Sequence, residues 1–125
     1  MQSTEPLPLR TFSIHQPIYI LIMKVITPGH CYQLANFEDK EYGQMLRFIH
    51  KQPISEGSPE METVSEGTTN EEVLRVLIDR MQFLQGKFPC RENAIVITNL
   101  EESLMWLEKR TKDRIDRNVE GKHLA

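Results

Sequence analysis

The longest regular pattern in the chain runs from Arg91 to about Ile115, and it predicts one long helix. The residues that recur at intervals of three or four positions are Asn93, Ile97, Leu100, Leu104, Leu107, Thr111 and Ile115. This spacing places a single stripe of side chains on one face of an α-helix. The β-branched run 94–98 lowers helix propensity and makes a strand the rival interpretation. The unbroken period favours a helix of about 26 to 28 residues that frays near 118–121.

A shorter helix is predicted immediately before it. Thr68 and Thr69 are alternative N-caps, and each is followed three residues later by a glutamate, which is the capping-box arrangement. The predicted apolar face comprises Leu74, Leu77, Met81 and Leu84. Gly86 and Pro89 are expected to end this helix. The two helices would therefore form an antiparallel hairpin joined by a short turn.

The region 23–65 has the alternation of polar and apolar residues that is typical of short strands. The candidate strands are 24–27, 30–37, 44–51 and 61–65. The predicted fold class is α+β, with a small N-terminal antiparallel β-sheet of three or four strands followed by a C-terminal antiparallel helical hairpin. We expect one domain over 23–125, divided into a β-region at 23–65 and a hairpin at 66–123. Residues 1–22 are interpreted as an extension that is either poorly ordered or an upstream translation start.

Composition excludes several classes of partner. A chain of 125 residues with a formal net charge of −3 is one domain in size and unsuited to coating polymeric nucleic acid or an anionic membrane. The apolar run 18–23 is too short to span a bilayer and lacks a signal-peptide cleavage pattern. Cys31 and Cys90 lie far apart in sequence, as expected of two reduced thiols in a cytoplasmic protein.

The sequence contains no motif for catalysis, for a metal ion or for a cofactor. There is no glycine-rich phosphate loop, no GxSxG, no HExxH and no CxxC. Acidic pairs such as Glu101–Glu102 are usually solvated and paired with Lys or Arg on a helix surface. We therefore expect a protein that is not an enzyme and that has no cofactor.

The two apolar faces described above are predicted to pack against each other, and we call this contact the seam of the hairpin. A second apolar stripe lies outside the seam. Its members are Val73, Val76 and Ile78 on the first helix and Ile95, Met105 and Trp106 on the second. Two interpretations stay open for this stripe. It could widen the core face, or it could form a subunit interface, where Trp and Met are enriched. In a chain this short with helices this long, the stripe favours oligomerisation.

The end of the second helix is cationic although the chain is acidic. Six Lys or Arg residues lie between positions 109 and 122, against three acidic residues. Cations near a helix C-terminus complement the helix dipole, which is one sufficient explanation. The alternative is an anion site, because Arg110 and Arg114 lie one helical turn apart and such a pair can hold a phosphate or diphosphate.

Asn93 is an amide among apolar positions at the start of the same helix. It could make a helix-start hydrogen bond, or it could recognise a base or ribose. Seventeen residues separate Asn93 from Arg110, which is about 25 Å along one helix. If Asn93 and the arginines served one small ligand, two antiparallel copies of the chain would be needed, and a dimer with two symmetric pockets would result.

Four segments of the hairpin region 66–123 carry a family resemblance, and they are TTNEEVL, GKFPCREN, LEESLMWLEKR and the closing DRxxRxVEGKH. With these segments the region resembles the hairpin of two phage counter-defence families. These are the first-described type of Thoeris anti-defence protein and the anti-CBASS cyclic-nucleotide sponge. The N-terminal segment KVITPGHCYQLANFED is similar to the small β-region of the Thoeris type, which favours that family. The extension 1–22 and the segment AIVIT depart from the family pattern.

The resemblance implies a protein that sequesters a host immune nucleotide without cleaving it. The implied partners are a cyclic ADP-ribose isomer held at a homodimer interface and cyclic di- or trinucleotides held in separate pockets of a hexamer. The implied ligand-binding residues are Phe83 for base stacking, Asn93 for hydrogen bonding, and Arg110 and Arg114 for phosphates. Arg91 is assigned to the cyclic-oligonucleotide pocket. The implied location is the cytoplasm of the infected bacterium, with no membrane or polymeric nucleic acid as partner.

A protein-binding module is the alternative from a different class. In that case the apolar stripe of the hairpin would dock another helix, and the arginines would meet acidic side chains. Binding of cyclic nucleotides separates the two hypotheses.

Overall fold

A computed structural model of the chain describes residues 23–39 and 43–124. The elements within them are β1 (Met23–Thr27), β2 (Cys31–Leu34), β3 (Met45–Arg47), β4 (His50–Pro53), β5 (Met61–Ser65), α1 (Asn70–Lys87) and α2 (Arg91–Asp116). Short strands followed by a helical hairpin make an α+β fold, which confirms the predicted fold class. The predicted extension 1–22 lies outside the described residues.

The chain divides into two compact units, and the second begins at Arg47. In the first unit, β1 and β2 pair antiparallel on either side of a turn that contains Pro28 and Gly29. Gly29 adopts a φ of 80°, a left-handed conformation that glycine tolerates best. The sheet has three strands in the order β1-β2-β3.

The alternation over 44–51 predicts one strand, and the structure instead contains two strands there, β3 and β4. The division falls at Phe48, which forms a parallel bridge with Thr68, just before α1. Ile49 N donates to Thr68 O at 2.9 Å, and Thr68 N donates to Arg47 O at 2.8 Å. Local alternation cannot reveal this pairing because Thr68 is distant in sequence. As a result, β4 pairs antiparallel with β5 in a separate two-stranded sheet.

Helix α1 begins as its capping sequence predicts. Thr69 is the N-cap residue, and its Oγ1 accepts from Glu72 N at 3.1 Å. Glu71 and Glu72 lie in the first turn, where negative charge complements the helix dipole. Thr69 rather than Thr68 is therefore the N-cap residue, and the backbone N and O of Thr68 are bonded to Arg47 O and Ile49 N.

Helix α2 is continuous over 26 residues, so the helical interpretation of the β-branched run 94–98 is confirmed. Its end is a Schellman motif rather than a frayed turn, which corrects the expectation for 118–121. Asn118, at φ 60°, donates to Ile115 O at 2.9 Å, and Val119 N donates to Arg114 O at 2.9 Å.

The two helices run antiparallel. Near the turn, Gln85 and Cys90 exchange two hydrogen bonds of 3.0 and 3.1 Å. Towards the other end, Arg75 Nη2 on α1 meets Glu108 Oε2 on α2 at 3.3 Å. These contacts fix the register of the hairpin from its closed end, at the turn, towards its open end.

The seam of the hairpin follows the predicted period with two corrections. Half-buried positions on α2 recur from Asn93 to Thr111, but the next position is the buried Arg114, and Ile115 is 59% exposed. On α1, Ile78 replaces Leu77 in the seam, and Leu77 is 42% exposed. Steps of three and four are both allowed on one helical face, so the period alone could not choose between these neighbours.

The seam between α1 and α2 is not a solvent-excluded hydrophobic core. Among the residues that the structure describes, no hydrophobic side chain is fully buried. Within the second apolar stripe, Val73 and Ile78 are half-buried, and the other members are exposed. The exposed members are Val76, Ile95, Met105 and Trp106. The wide-core interpretation therefore holds for two residues of the stripe and not for the remaining four.

We predict that Thr69→Ala lowers the free energy of unfolding by about 1 kcal/mol, because the Glu72 backbone N–H loses its acceptor. Urea denaturation at a fixed protein concentration measures this change. Thr98→Ala, on the exposed surface of α2, is the matched control and should change stability by less than about 0.5 kcal/mol. Equal destabilisation by the two substitutions would contradict the capping role.

Candidate functional site

Most cations at the open end of the hairpin already have acceptors. Lys109 Nζ meets Asp113 Oδ2 at 2.9 Å, and Lys112 Nζ meets Asp116 Oδ2 at 3.1 Å. Both are i,i+4 pairs between exposed side chains, which stabilise a helix only slightly. The pairs nevertheless neutralise two of the local cations, so charge counting overstates the positive charge that a ligand would meet.

The charge of Asp113 is stabilised by its surroundings. The hydrogen bond from Lys109 holds the pKa of the Asp113 carboxyl below its ordinary value, and the charges of Lys109, Lys112 and Arg117 act in the same direction. Asp113 therefore stays ionised at neutral pH and keeps Lys109 engaged. This leaves Arg110 and Arg114 as the informative cations of the predicted site.

Arg114 is the most buried side chain of α2, with 6% of its surface exposed. Its Nε donates to Glu120 Oε1 at 3.0 Å, and its Nη2 donates to Val119 O and Lys122 O, each at 2.8 Å. Its Nη1 donates to Leu124 O. Four of the five guanidinium N–H donors thus have acceptors. The predicted phosphate-binding role of Arg114 stays a prediction, and its visible role is to hold the chain after α2.

Arg110, one turn earlier, is exposed and has no ion-pair partner among residues 23–39 and 43–124. It lines two clefts. One is about 270 Å³ in volume and is also lined by Trp106, Lys109, Asp113, Arg114 and Arg117. The other is about 380 Å³ and is also lined by Arg114, Lys122, His123 and Leu124. The guanidinium of Arg110 is therefore available for an anion in either cleft.

The remaining predicted site residues lie at the closed end of the hairpin. Phe83 is 61% exposed near the end of α1, with Lys87 Nζ 5.3 Å from its ring centroid. Asn93 is half-buried in the first turn of α2, where its backbone N donates to Cys90 Sγ at 3.4 Å. The side-chain amide of Asn93 makes no hydrogen bond within the described part of the chain. Arg91 begins α2 and is exposed.

The predicted site residues therefore form two groups. The closed end carries Phe83, Arg91 and Asn93, and the open end carries Arg110 and Arg114. Because α2 is one uninterrupted helix, Asn93 and Arg110 lie about 25 Å apart along it. One small ligand cannot reach both groups within a single chain.

The structure adds Trp106, Lys122 and His123 to the open end. Trp106 lies four residues before Arg110 on the same face of α2, so helical spacing could have revealed it. The other two lie beyond the helix, where the chain folds back, and no sequence period predicts their position. A base could stack on the exposed indole of Trp106 beside the Arg110 guanidinium.

The described residues contain no group of three or more His, Cys, Asp or Glu side chains placed to hold a metal ion. Neither α1 nor α2 has an apolar stretch long enough to cross a bilayer.

These features define a helical-hairpin protein with an exposed apolar surface and, at its open end, an exposed arginine without an ion-pair partner among the described residues. The family model "Acb2/Tad1, hairpin domain" matches residues 47–112, a little over half of the chain, and the chain belongs to this family. A relative, Thoeris anti-defense 1 from Bacillus phage SBSphiJ7, is 50% identical over 66 residues. The match covers 52% of this chain and 46% of that relative, so the chain spans about half of the relative's length. The resemblance drawn from the sequence is confirmed.

We predict that Arg114→Met lowers the free energy of unfolding by about 2 kcal/mol, because it removes the donor for several backbone carbonyls in the chain after α2. Arg110→Met is the matched control one turn earlier, and it should change stability by less than about 0.5 kcal/mol. Urea unfolding followed by circular dichroism at a fixed concentration compares the two. If Arg110→Met destabilised as much as Arg114→Met, the difference in their roles would be refuted.

Proposed function

We propose that this chain is a phage counter-defence sponge that binds a host immune cyclic nucleotide and sequesters it without cleavage. Membership of the Acb2/Tad1 hairpin family and the name of the phage relative support an anti-defence role. The proposed ligand is a cyclic ADP-ribose isomer, and cyclic di- or trinucleotides are a second class. The proposed setting is the cytoplasm of the infected bacterium.

The observation that carries this proposal is that the exposed guanidinium of Arg110 has no carboxylate partner among the described residues. Its neighbours Lys109 and Lys112 have carboxylate partners, and Arg114 is committed to the chain after α2. Arg110 has no carboxylate partner among the described residues, and it lines the same cleft as the exposed ring of Trp106. A guanidinium next to an aromatic surface is suited to a ligand that combines phosphates with a base.

The proposed site is completed by a second chain. Phe83 and Asn93 would supply a stacking surface and an amide from the closed end of one hairpin, and Arg110 would come from the open end of its partner. In an antiparallel C2 dimer these ends meet twice, so each dimer has two equivalent sites. The exposed members of the apolar stripe supply the surface that such an assembly would bury. A hexamer built from three dimers is the larger assembly that the family resemblance implies.

The predicted site of cyclic-oligonucleotide binding is separate. Arg91 begins α2 at the closed end, is exposed and has no ion-pair partner in the described ranges. Its position at a helix start adds the positive end of the helix dipole to its own charge. We assign Arg91 to this second class of ligand as part of the same proposal.

The sponge reading predicts that the ligand is recovered unchanged. Purified protein is incubated with each cyclic ADP-ribose isomer and denatured, and the released nucleotide is identified by mass spectrometry. Near-complete recovery of the cyclic form is expected, because the proposed site has no activated nucleophile and needs tight binding without turnover. A linear or hydrolysed product would overturn sequestration and favour a nucleotide hydrolase.

Charge reversal at Arg110 should abolish nucleotide binding. We expect Arg110→Glu to weaken the affinity by about 100-fold or more, since a charge-assisted contact is replaced by repulsion. Lys112→Glu is the matched control, because Lys112 is exposed on the same helix and paired with Asp116. Calorimetry measures both affinities, and native mass spectrometry verifies that the assembly is unchanged.

Two results of this experiment would count against the proposal. Unchanged affinity of Arg110→Glu would remove this residue from the site. Absence of heat with every cyclic nucleotide would favour the alternative function, in which the exposed stripe around Trp106 and Met105 docks another protein.

A further inference from the structure

The chain after α2 folds back over the end of the helix. Asn118 at φ 60° and Gly121 at φ 82° supply two reversals of direction. The Arg114 guanidinium lies inside the turn and bonds the carbonyls of Val119, Lys122 and Leu124. We call residues 119–124 the tail loop. Its far end is also tied by the bond from His123 N to Pro59 O, at 2.7 Å.

This folding brings two more nitrogen-bearing side chains to Arg110. Lys122 and His123 line the cleft of about 380 Å³ together with Arg110, Arg114 and Leu124. The nearby carboxylate of Glu120 is bonded to Arg114 Nε at 3.0 Å, so its charge is already balanced. Lys122, like Arg110, has no ion-pair partner in the part of the chain that the structure describes. The cleft is therefore a cationic pocket rather than a mixed-charge surface.

We propose that Lys122 and His123 complete a phosphate-binding subsite with Arg110, and that Arg114 is the positioning residue that holds the tail loop in place. This inference rests on the proposed function and names the residues that meet the phosphates of the nucleotide. It also gives Arg114 a specific part: it organises the phosphate subsite through the tail loop while its own N–H groups stay bonded to the protein.

The geometry of phosphate favours such an arrangement. A phosphoryl group presents several acceptor oxygens in different directions, and one helix face meets only some of them. Arg110 approaches from α2, and Lys122 and His123 approach from the tail loop. A guanidinium fork, an ammonium and a ring N–H together offer donors of different shape, which suits a diphosphate better than two parallel arginines do.

The test compares Lys122→Gln and His123→Ala with the unmodified full chain by calorimetry. The probes are the cyclic ADP-ribose isomers and inorganic pyrophosphate, which carries the phosphate chemistry without base or ribose. We expect Lys122→Gln to weaken binding of both probes about tenfold and His123→Ala about threefold. Lys112→Gln, which removes an equal charge outside both clefts, should change affinity less than about twofold. Circular dichroism verifies that helix content is retained.

The positioning role of Arg114 has its own readout. Arg114→Lys keeps the charge but loses the planar fork that reaches several carbonyls at once. In that background the loss caused by Lys122→Gln should shrink from about tenfold to about twofold, because the tail loop no longer presents Lys122 to the ligand. A tenfold loss in both backgrounds would overturn the positioning role and leave Arg114 a purely structural residue.

The outcomes separate this inference from the proposed function. If the unmodified chain binds cyclic nucleotide and the Lys122 and His123 variants match it within about twofold, the subsite is wrong while the sponge stands. If the chain binds pyrophosphate in a Lys122-dependent manner but binds no cyclic nucleotide, the subsite stands while the sponge is wrong. Binding of neither probe overturns both.

Discussion

Two helices packed against each other can bury one seam, and this limit governs the rest of the structure. Residues at steps of three and four on α2 meet those on α1, and the Gln85–Cys90 and Arg75–Glu108 contacts fix their register. Even along the seam, no hydrophobic side chain within the described ranges is fully buried. Because hydrophobic burial is the main stabilising term in folding, a hairpin of this kind gains most from a further partner. The exposed positions Val76, Met105 and Trp106 are where such a partner would add burial.

At the open end of the hairpin, two arginines of one sequence motif have different surroundings. Arg110 and Arg114 are one turn apart and look equivalent in sequence, yet Arg110 is exposed, whereas Arg114 is only 6% exposed and has acceptors for four of its five guanidinium N–H donors. The difference arises because Arg114 continues the seam and is bonded by the carbonyls of the tail loop, whereas Arg110 stays exposed in the clefts beside it. Burial of a guanidinium is tolerated here because Glu120 and several carbonyls satisfy it. Among the Lys and Arg side chains that line the cleft beside the tail loop, Arg110 and Lys122 are consequently the ones without an ion-pair partner in the described residues.

Local signals in the sequence predicted the helices well. The capping box placed the N-cap of α1 at Thr68 or Thr69, of which the structure selects Thr69, and the apolar period predicted that α2 continues through its β-branched segment. The sequence failed where distant segments decide the outcome. Phe48 leaves its expected strand to bridge Thr68, and Arg114 takes the seam position expected for Ile115 because the tail loop returns to cover it. Hydrophobicity alone favours isoleucine over arginine at a seam position. Arg114 occupies this position because backbone carbonyls of the tail loop accept hydrogen bonds from its guanidinium.

The same distinction applies to the candidate site. Spacing along α2 showed that Asn93 and Arg110 cannot share a ligand within one chain, and the uninterrupted helix confirms that separation. The position of Lys122 and His123 in one cleft with Arg110 could not be read from the sequence, because it depends on chain reversals after the helix. Periodicity describes positions within an element, whereas a site assembled from an element and a loop requires the tertiary structure.

A mixing experiment tests the central claim that two chains complete each site. Asn93→Ala and Arg110→Ala proteins are purified separately, mixed under conditions that allow exchange of subunits, and titrated with the cyclic ADP-ribose isomer. Each variant alone should bind little. In a mixed dimer one site receives both substitutions and the other receives neither, so the mixture should recover about one quarter of the unmodified binding capacity at the original affinity. A mixture that exchanges subunits yet binds no better than its components would contradict the shared site.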